Sequence, residues 1–281
     1  MAIVVMICFA RSGGTVLNQC LGMLPNVVIL SEVNPLGGGW GARGSESPTT
    51  VKEQAKRWYR IDLASEGFSN NILELERICE ATGKRLLVRD WSFVNFVPCK
   101  ENMHNPPSSL LTLDDLNGKC ETIPFAFVRD SIDVWISRGG VSDGDFFRYY
   151  RCYIEEIKRR MLPVYKYESF CRHPDKVIRE ICKYTGLEFS DSFRQFQSFM
   201  NVNGDTQIAK GSRSSKHNKI AQLRRRLIPR ETITFLNGNA DMKWANNLMG
   251  YPVSYFGRPR EIRWLSKVWT VLKNVKRPRE I

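Results

Sequence analysis

The sequence predicts an α/β fold: three layers, with a central, mainly parallel sheet flanked by helices. Three observations carry that expectation. Short unbroken apolar runs recur along the chain, each is followed by apolar residues at helical spacing, and glycine, proline or small polar residues stand at the junctions. Unbroken apolar strands are buried on both faces, and the helices between them are the crossovers that parallel strands need.

The first run, Ile3 to Phe9, enters Ala10-Arg11-Ser12-Gly13-Gly14-Thr15, behind which Val16, Leu17, Cys20, Leu21 and Leu24 open a helix. Val27 to Leu30 is the second strand, ending at Ser31-Glu32-Val33-Asn34-Pro35. The Gly- and Ser-rich stretch Leu36 to Pro48 reads as a loop. Helical patterns follow over Lys52–Arg60 and Asn71–Thr82, and Gly83 closes the second as a glycine just past a helix end. Arg85 to Val88 is the third strand, leading into Arg89-Asp90-Trp91-Ser92, and residues 100–118 read as loop with one short helical turn. Ile123 to Val128 is the fourth strand, after which Asp130 or Ser131 caps a helix through Val134, Trp135 and Ile136. Asp145 to Arg160 has the pattern of a long basic amphipathic helix. Pro163 to Tyr167 is a fifth short strand ending at Glu168, and Pro174 suits the first turn of the next helix. Gly204 to Lys219 is polar and basic, an exposed loop, and Arg230 to Asn246 is helical in part.

A length of 281 residues with 42% hydrophobic content suits one or at most two globular domains. The expected division is an α/β domain over residues 1–257 and a basic amphipathic C-terminal tail over 258–281. In that tail Ile262, Leu265, Trp269 and Leu272 recur at helical spacing among lysines and arginines. Such a segment packs on the body or on a second subunit, or makes a peripheral contact with an anionic membrane. The net charge of +13 points to an anionic ligand, an acidic partner or a membrane surface. No nucleic-acid recognition motif accompanies it, so nucleic acid is not an expected partner. The eight cysteines form no C-x-x-C pair and read as reduced thiols, and three histidines are too few to suggest a metal centre. No secretory signal and no apolar run of transmembrane length is visible, so the expected location is cytoplasmic.

The chemistry concentrates where strands meet helices. In Arg11-Ser12-Gly13-Gly14-Thr15 a glycine turn aims backbone N–H groups and a positive helix end at one point, while Arg11 adds a cation and Ser12 and Thr15 add hydroxyls. The segment reads either as an anion site of P-loop-like form or as an ordinary strand-to-helix turn, and the Gly-Lys-Ser/Thr triplet of a triphosphate loop is missing. A second dense segment runs from Phe127 to Arg138. There Arg129 stands at a strand end and Ser137 follows eight residues on, close to a whole number of helical turns.

Together these segments resemble the PAPS-dependent sulfotransferases, in the style of the bacterial and carbohydrate-type branch. In that family a strand–loop–helix of the [R/K]-S-G-[T/S/G]-T type binds the 5′-phosphosulfate of 3′-phosphoadenosine 5′-phosphosulfate (PAPS). A later Arg with a Ser eight residues on binds the 3′-phosphate. Here these are Arg11, Ser12, Gly13, Gly14 and Thr15, then Arg129 with Ser137. Two further stretches match in order: Val164 to Phe170 with His173-Pro174 and Tyr184 to Leu187, and Lys210-Gly211-Ser212-Arg213, which resembles the segment that closes over the nucleotide.

The resemblance implies transfer of a sulfuryl group from PAPS, without a metal, to a hydroxyl or amine of a carbohydrate, lipid or small molecule. It implies that Arg11 stabilises the migrating group. The third strand end lacks the histidine that serves as base in the cytosolic branch. Glu32 is therefore the first choice for general base and Asp90 the second. Two other readings of the same residues are a P-loop nucleotide kinase-like phosphotransferase, against which the missing lysine argues, and a non-catalytic binding module on the sulfotransferase fold. Trp40, Trp58, Tyr59 and Trp91 are candidates to line an acceptor pocket or simply to pack the core.

Overall fold

The computed structural model describes residues 2–38, 48–139, 145–203, 219–222, 225, 228 and 230–255. Trp40, the Lys210–Arg213 segment and the tail from residue 258 lie outside these described residues. The chain divides into two compact units, residues 1–129 with 155–222, and residues 130–154 with 223–281.

The first unit is built on one sheet. Its strands are β1 (Ile3–Cys8), β2 (Val27–Asn34), β3 (Gly37–Gly38), β4 (Arg85–Trp91), β5 (Thr122–Val128) and β6 (Val164–Lys166), in the order β3-β2-β4-β1-β5-β6. Five strands run parallel, and β3 is a short antiparallel addition to β2. β1 is buried at every position, as its unbroken apolar run requires. One face of the sheet carries Val4, Met6, Cys8, Leu87, Phe125 and Phe127 against helices α1 (Gly14–Gly22), α8 (Tyr167–Arg172) and α9 (Pro174–Thr185). Helices α2 (Val51–Tyr59), α3 (Phe68–Ala81), α4 (Phe93–Phe96) and α5 (Leu111–Leu116) also belong to this unit.

Two elements run further than the sequence pattern suggests. β2 continues through Ser31-Glu32-Val33 to Asn34, and β4 includes Arg89, Asp90 and Trp91. Polar residues at strand ends do not announce themselves as strand; neighbouring ladders recruit them. The outer edge of β2 is covered by side chains of α2. The Tyr59 hydroxyl accepts from Ile29 N and donates to Ile29 O, at 3.0 and 2.8 Å. Two residues on, Gln54 Oε1 accepts from Ser31 N and its Nε2 donates to Ser31 O, both at 2.8 Å. These side chains stand in for a missing neighbouring strand and satisfy its backbone partners. Tyr59 thus serves the sheet edge, and Trp91 is buried in a stack with Phe93.

The second unit contains α6 (Ser131–Ser137), the start of α7 (Phe146–Arg159), α10 (Arg230–Gly238) and α11 (Ala240–Leu248). Asp130 caps α6 by accepting from Ile132 N at 3.0 Å. Arg225 donates to both Asp130 and Asp133, the latter at 2.6 Å, and lies over the Tyr255 ring. Asn246 of α11 accepts from the Ser131 hydroxyl at 2.7 Å and donates to Asp130. Arg225 stands in the run Arg224-Arg225-Arg226, whose charge pattern reads as solvated or docking; here it is bound to two buried carboxylates instead. No helix among the described residues is long and apolar enough to cross a membrane.

Candidate active site

The carboxyl ends of β1, β2, β4 and β5 bring the polar residues of the first unit together, where parallel sheets place their ligands. After β1 the chain turns through Arg11 at φ 72° and Gly13 at φ 85°, and α1 starts at Gly14. A side chain on Gly13 would collide with the Tyr167 ring, and one on Gly14 would collide with Cys8 Sγ and crowd the Arg89 guanidinium. Both glycines are therefore required by the close approach of neighbours at the start of α1. The hydroxyl of Ser12 is fully buried and has no hydrogen-bond partner among the described residues. A buried hydroxyl left so is costly unless something else uses it.

Glu32 does not follow β2 but lies inside it, on a bulge where the register against β4 shifts between Ser31 and Val33. Its φ of 54° is a left-handed conformation in a non-glycine residue, and bulges of this kind re-aim a side chain. The carboxylate is 8% exposed at the residue level and accepts from Arg89 Nη2 at 2.6 Å. Arg89 is buried and has two more partners: Nη1 donates to the Asn203 carbonyl at 3.2 Å and to Thr15 Oγ1 at a long 3.5 Å. Asn203 is held in turn by Ser31 Oγ and by the Pro48 carbonyl. Beside Arg89, burial pushes the Cys8 thiol up to about 11, although the guanidinium pulls the other way. In the sequence Arg89 stands with Asp90 at the third strand end but has no assigned role; the structure sets its guanidinium between Glu32 and Thr15.

Asp90 points to the opposite face of β4, because strand side chains alternate. It is fully buried and accepts from Ser92 Oγ at 2.5 Å, Thr112 Oγ1 at 2.6 Å and Asn34 Nδ2 at 2.9 Å. Burial raises its carboxyl above the usual range against the pull of these donors. It has no salt bridge to Arg89, and the structure does not bring it to the glycine turn.

Arg129 closes the site from β5. It is 4% exposed, donates from Nη1 to the Arg11 carbonyl at 3.2 Å, and stacks 4.6 Å over the Tyr167 ring. The two sequence motifs, 118 positions apart, therefore meet at one turn. Ser137 ends α6 in the second unit. Among the described residues no group of three or more His, Cys, Asp or Glu is placed to hold a metal ion.

No family model matches the chain, and no curated protein matches it in sequence. Among solved structures it is similar to the sulfotransferase domain from the curacin biosynthetic pathway. That match has 10% identity, covers 90% of this chain and 99% of that one, and has a TM-score of 0.53. A sulfotransferase from Alicyclobacillus acidocaldarius matches at 15% identity over 69% of this chain and 89% of its own, with a TM-score of 0.40. A mouse sulfotransferase complexed with PAP matches at 14% over 96% and 84%, with a TM-score of 0.38. The first of these matches establishes that this chain has the fold of a sulfotransferase domain, a parallel sheet flanked by helices with a glycine turn after its first strand.

Proposed function

We propose that the protein is a PAPS-dependent sulfotransferase that moves the sulfuryl group to a hydroxyl or amine. The observation that carries this reading is the hydrogen bond from Arg129 to the Arg11 carbonyl. It sets the cation of one motif against the turn of the other, beside a buried hydroxyl that has no partner among the described residues. A ligand with two anionic ends suits that arrangement better than one with a single phosphate.

In this reading Arg11, the amides of Gly13 and Gly14, and the hydroxyls of Ser12 and Thr15 hold the phosphosulfate end. The buried Ser12 hydroxyl supports that fit. Arg129 holds the 3′-phosphate; the parts of Ser137, Lys210, Gly211, Ser212 and Arg213 rest on the sequence resemblance. PAPS supplies an activated sulfuryl group, so the chain has to position and stabilise rather than form a covalent intermediate. Glu32 takes the acceptor proton. Its burial, its left-handed backbone and its link through Arg89 to the turn that carries Thr15 support that role. Asp90, fully buried among neutral donors, is better supported as a framework carboxylate.

Calorimetry with PAP, PAPS and ATP tests the reading, followed by transfer of labelled sulfate from PAPS to carbohydrate, lipid and small-molecule alcohols. Binding of PAP in preference to ATP, with sulfate incorporation, is expected. ATP binding as tightly as PAP would favour a phosphotransferase, and PAP binding with no transfer to any acceptor would favour the binding module.

A further inference from the structure

We infer that Arg89 is a charge-balancing residue shared between Glu32 and the anion held by the glycine turn, releasing one as it takes up the other. This rests on the sulfotransferase reading for the identity of the anion. The geometry of the guanidinium carries it. One nitrogen, Nη2, is on Glu32 Oε1 at 2.6 Å, while Nη1 reaches toward Thr15 Oγ1 in the first turn of α1. The side chains of the pair are only 3% and 11% exposed, so neither charge is screened by water. Gly14, having no side chain, leaves the guanidinium open to the turn.

A buried cation is stable only while a counter-charge faces it. Before reaction Glu32 is that counter-charge. In the transfer step the acceptor oxygen forms its bond to sulfur, and the bond from sulfur to the bridging phosphate oxygen breaks. The electron pair stays on the leaving phosphate, and the acceptor proton passes to Glu32. The carboxylate loses a negative charge as the phosphate in the turn gains one. The negative charge facing Arg89, summed over the carboxylate and the phosphate, is therefore unchanged by the step. The hydrogen bond to the Asn203 carbonyl keeps its plane fixed while its partner changes. Because Arg89 occupies Oε1, it is Oε2 of Glu32 that stays open to a proton.

The inference makes a prediction that needs no acceptor. Neutralising Glu32 frees Arg89 for the anion, so Glu32→Gln binds PAP more tightly than wild type, by about tenfold for one charge-assisted contact. Arg89→Met weakens PAP by a similar factor, and the gain from Glu32→Gln disappears in the Arg89→Met background. Arg89→Lys, which keeps the charge but not the fork, restores part of the affinity. Calorimetry with PAP and with inorganic pyrophosphate reads all of these. Circular dichroism checks folding, and the double variant, with no buried charge left unpaired, is the safeguard if Arg89→Met misfolds. Equal affinities in wild type and Glu32→Gln, or a gain that survives without Arg89, would overturn the inference. If the chain binds pyrophosphate with this pattern but not PAP, Arg89 keeps its role and the sulfotransferase reading falls.

Discussion

Replacing Arg225 by Met removes the cation that faces the buried carboxylates of Asp130 and Asp133, whose side chains are 5% and 6% exposed. Breaking a buried pair by deleting one partner costs about 3–5 kcal/mol, because the remaining charge is left in a poor solvent. Arg225 is 28% exposed, so water can partly replace it, and the lower end, about 3 kcal/mol, is the expected loss. With a urea dependence of about 2 kcal/mol per M, the midpoint of the transition involving the second unit should fall by about 1.5 M at pH 7. The pH dependence is a second readout. Burial holds the Asp130 carboxyl above its usual range; Arg225 opposes this and Asp133 adds to it. Without Arg225 the Asp130 carboxyl rises further, and its protonated form, which needs no cation, becomes accessible at milder acidity. The deficit is therefore full where Asp130 is ionised and shrinks as falling pH protonates it. Urea titrations of wild type and variant at pH 7 and pH 5, followed by circular dichroism and tryptophan fluorescence, measure both effects. A loss under about 0.5 kcal/mol with no dependence on pH, the behaviour of a solvated surface arginine, would refute the reasoning.

Further outcomes follow from the first unit. The Cys8 thiol ionises at about 11 in the fold against 9.0 unfolded, so the unfolded chain loses its proton first. Stability should drop by about 2–3 kcal/mol as pH rises through that window, and this component should vanish in Cys8→Ala. Gln54→Leu strands the Ser31 N–H and leaves the Ser31 carbonyl with Asn203 Nδ2, at 3.3 Å, as its donor. It should cost about 1–3 kcal/mol in chemical denaturation; a neutral outcome would mean that the strand edge finds other partners. Arg129→Ala should weaken PAP binding at least about tenfold by calorimetry, and unchanged affinity would remove Arg129 from the site. Glu32→Gln should lower turnover by about 100-fold or more once an acceptor is in hand; an active variant would hand proton removal to the substrate or to another group.

What the sequence determined by itself was local. Apolar runs set the strands, glycines at Gly13, Gly14 and Gly83 marked turns and a helix end, and Arg11 to Thr15 marked the turn between β1 and α1 from consecutive residues. All of these are properties of a few neighbouring positions, which is why composition and spacing reveal them. What only the tertiary structure decided concerns partners far apart in the chain. Arg89 and Asp90 are adjacent at one strand end, yet the pleat sends one to Glu32 and the other into a polar cluster on the opposite face. Glu32 meets Arg89 across 57 positions because a single bulge in β2 shifts its register. Arg225, one of three consecutive arginines, is structural because α6 lays two carboxylates beside it. A charge reports its sign in the sequence, but its energy depends on what surrounds it, and only the packed chain supplies those surroundings.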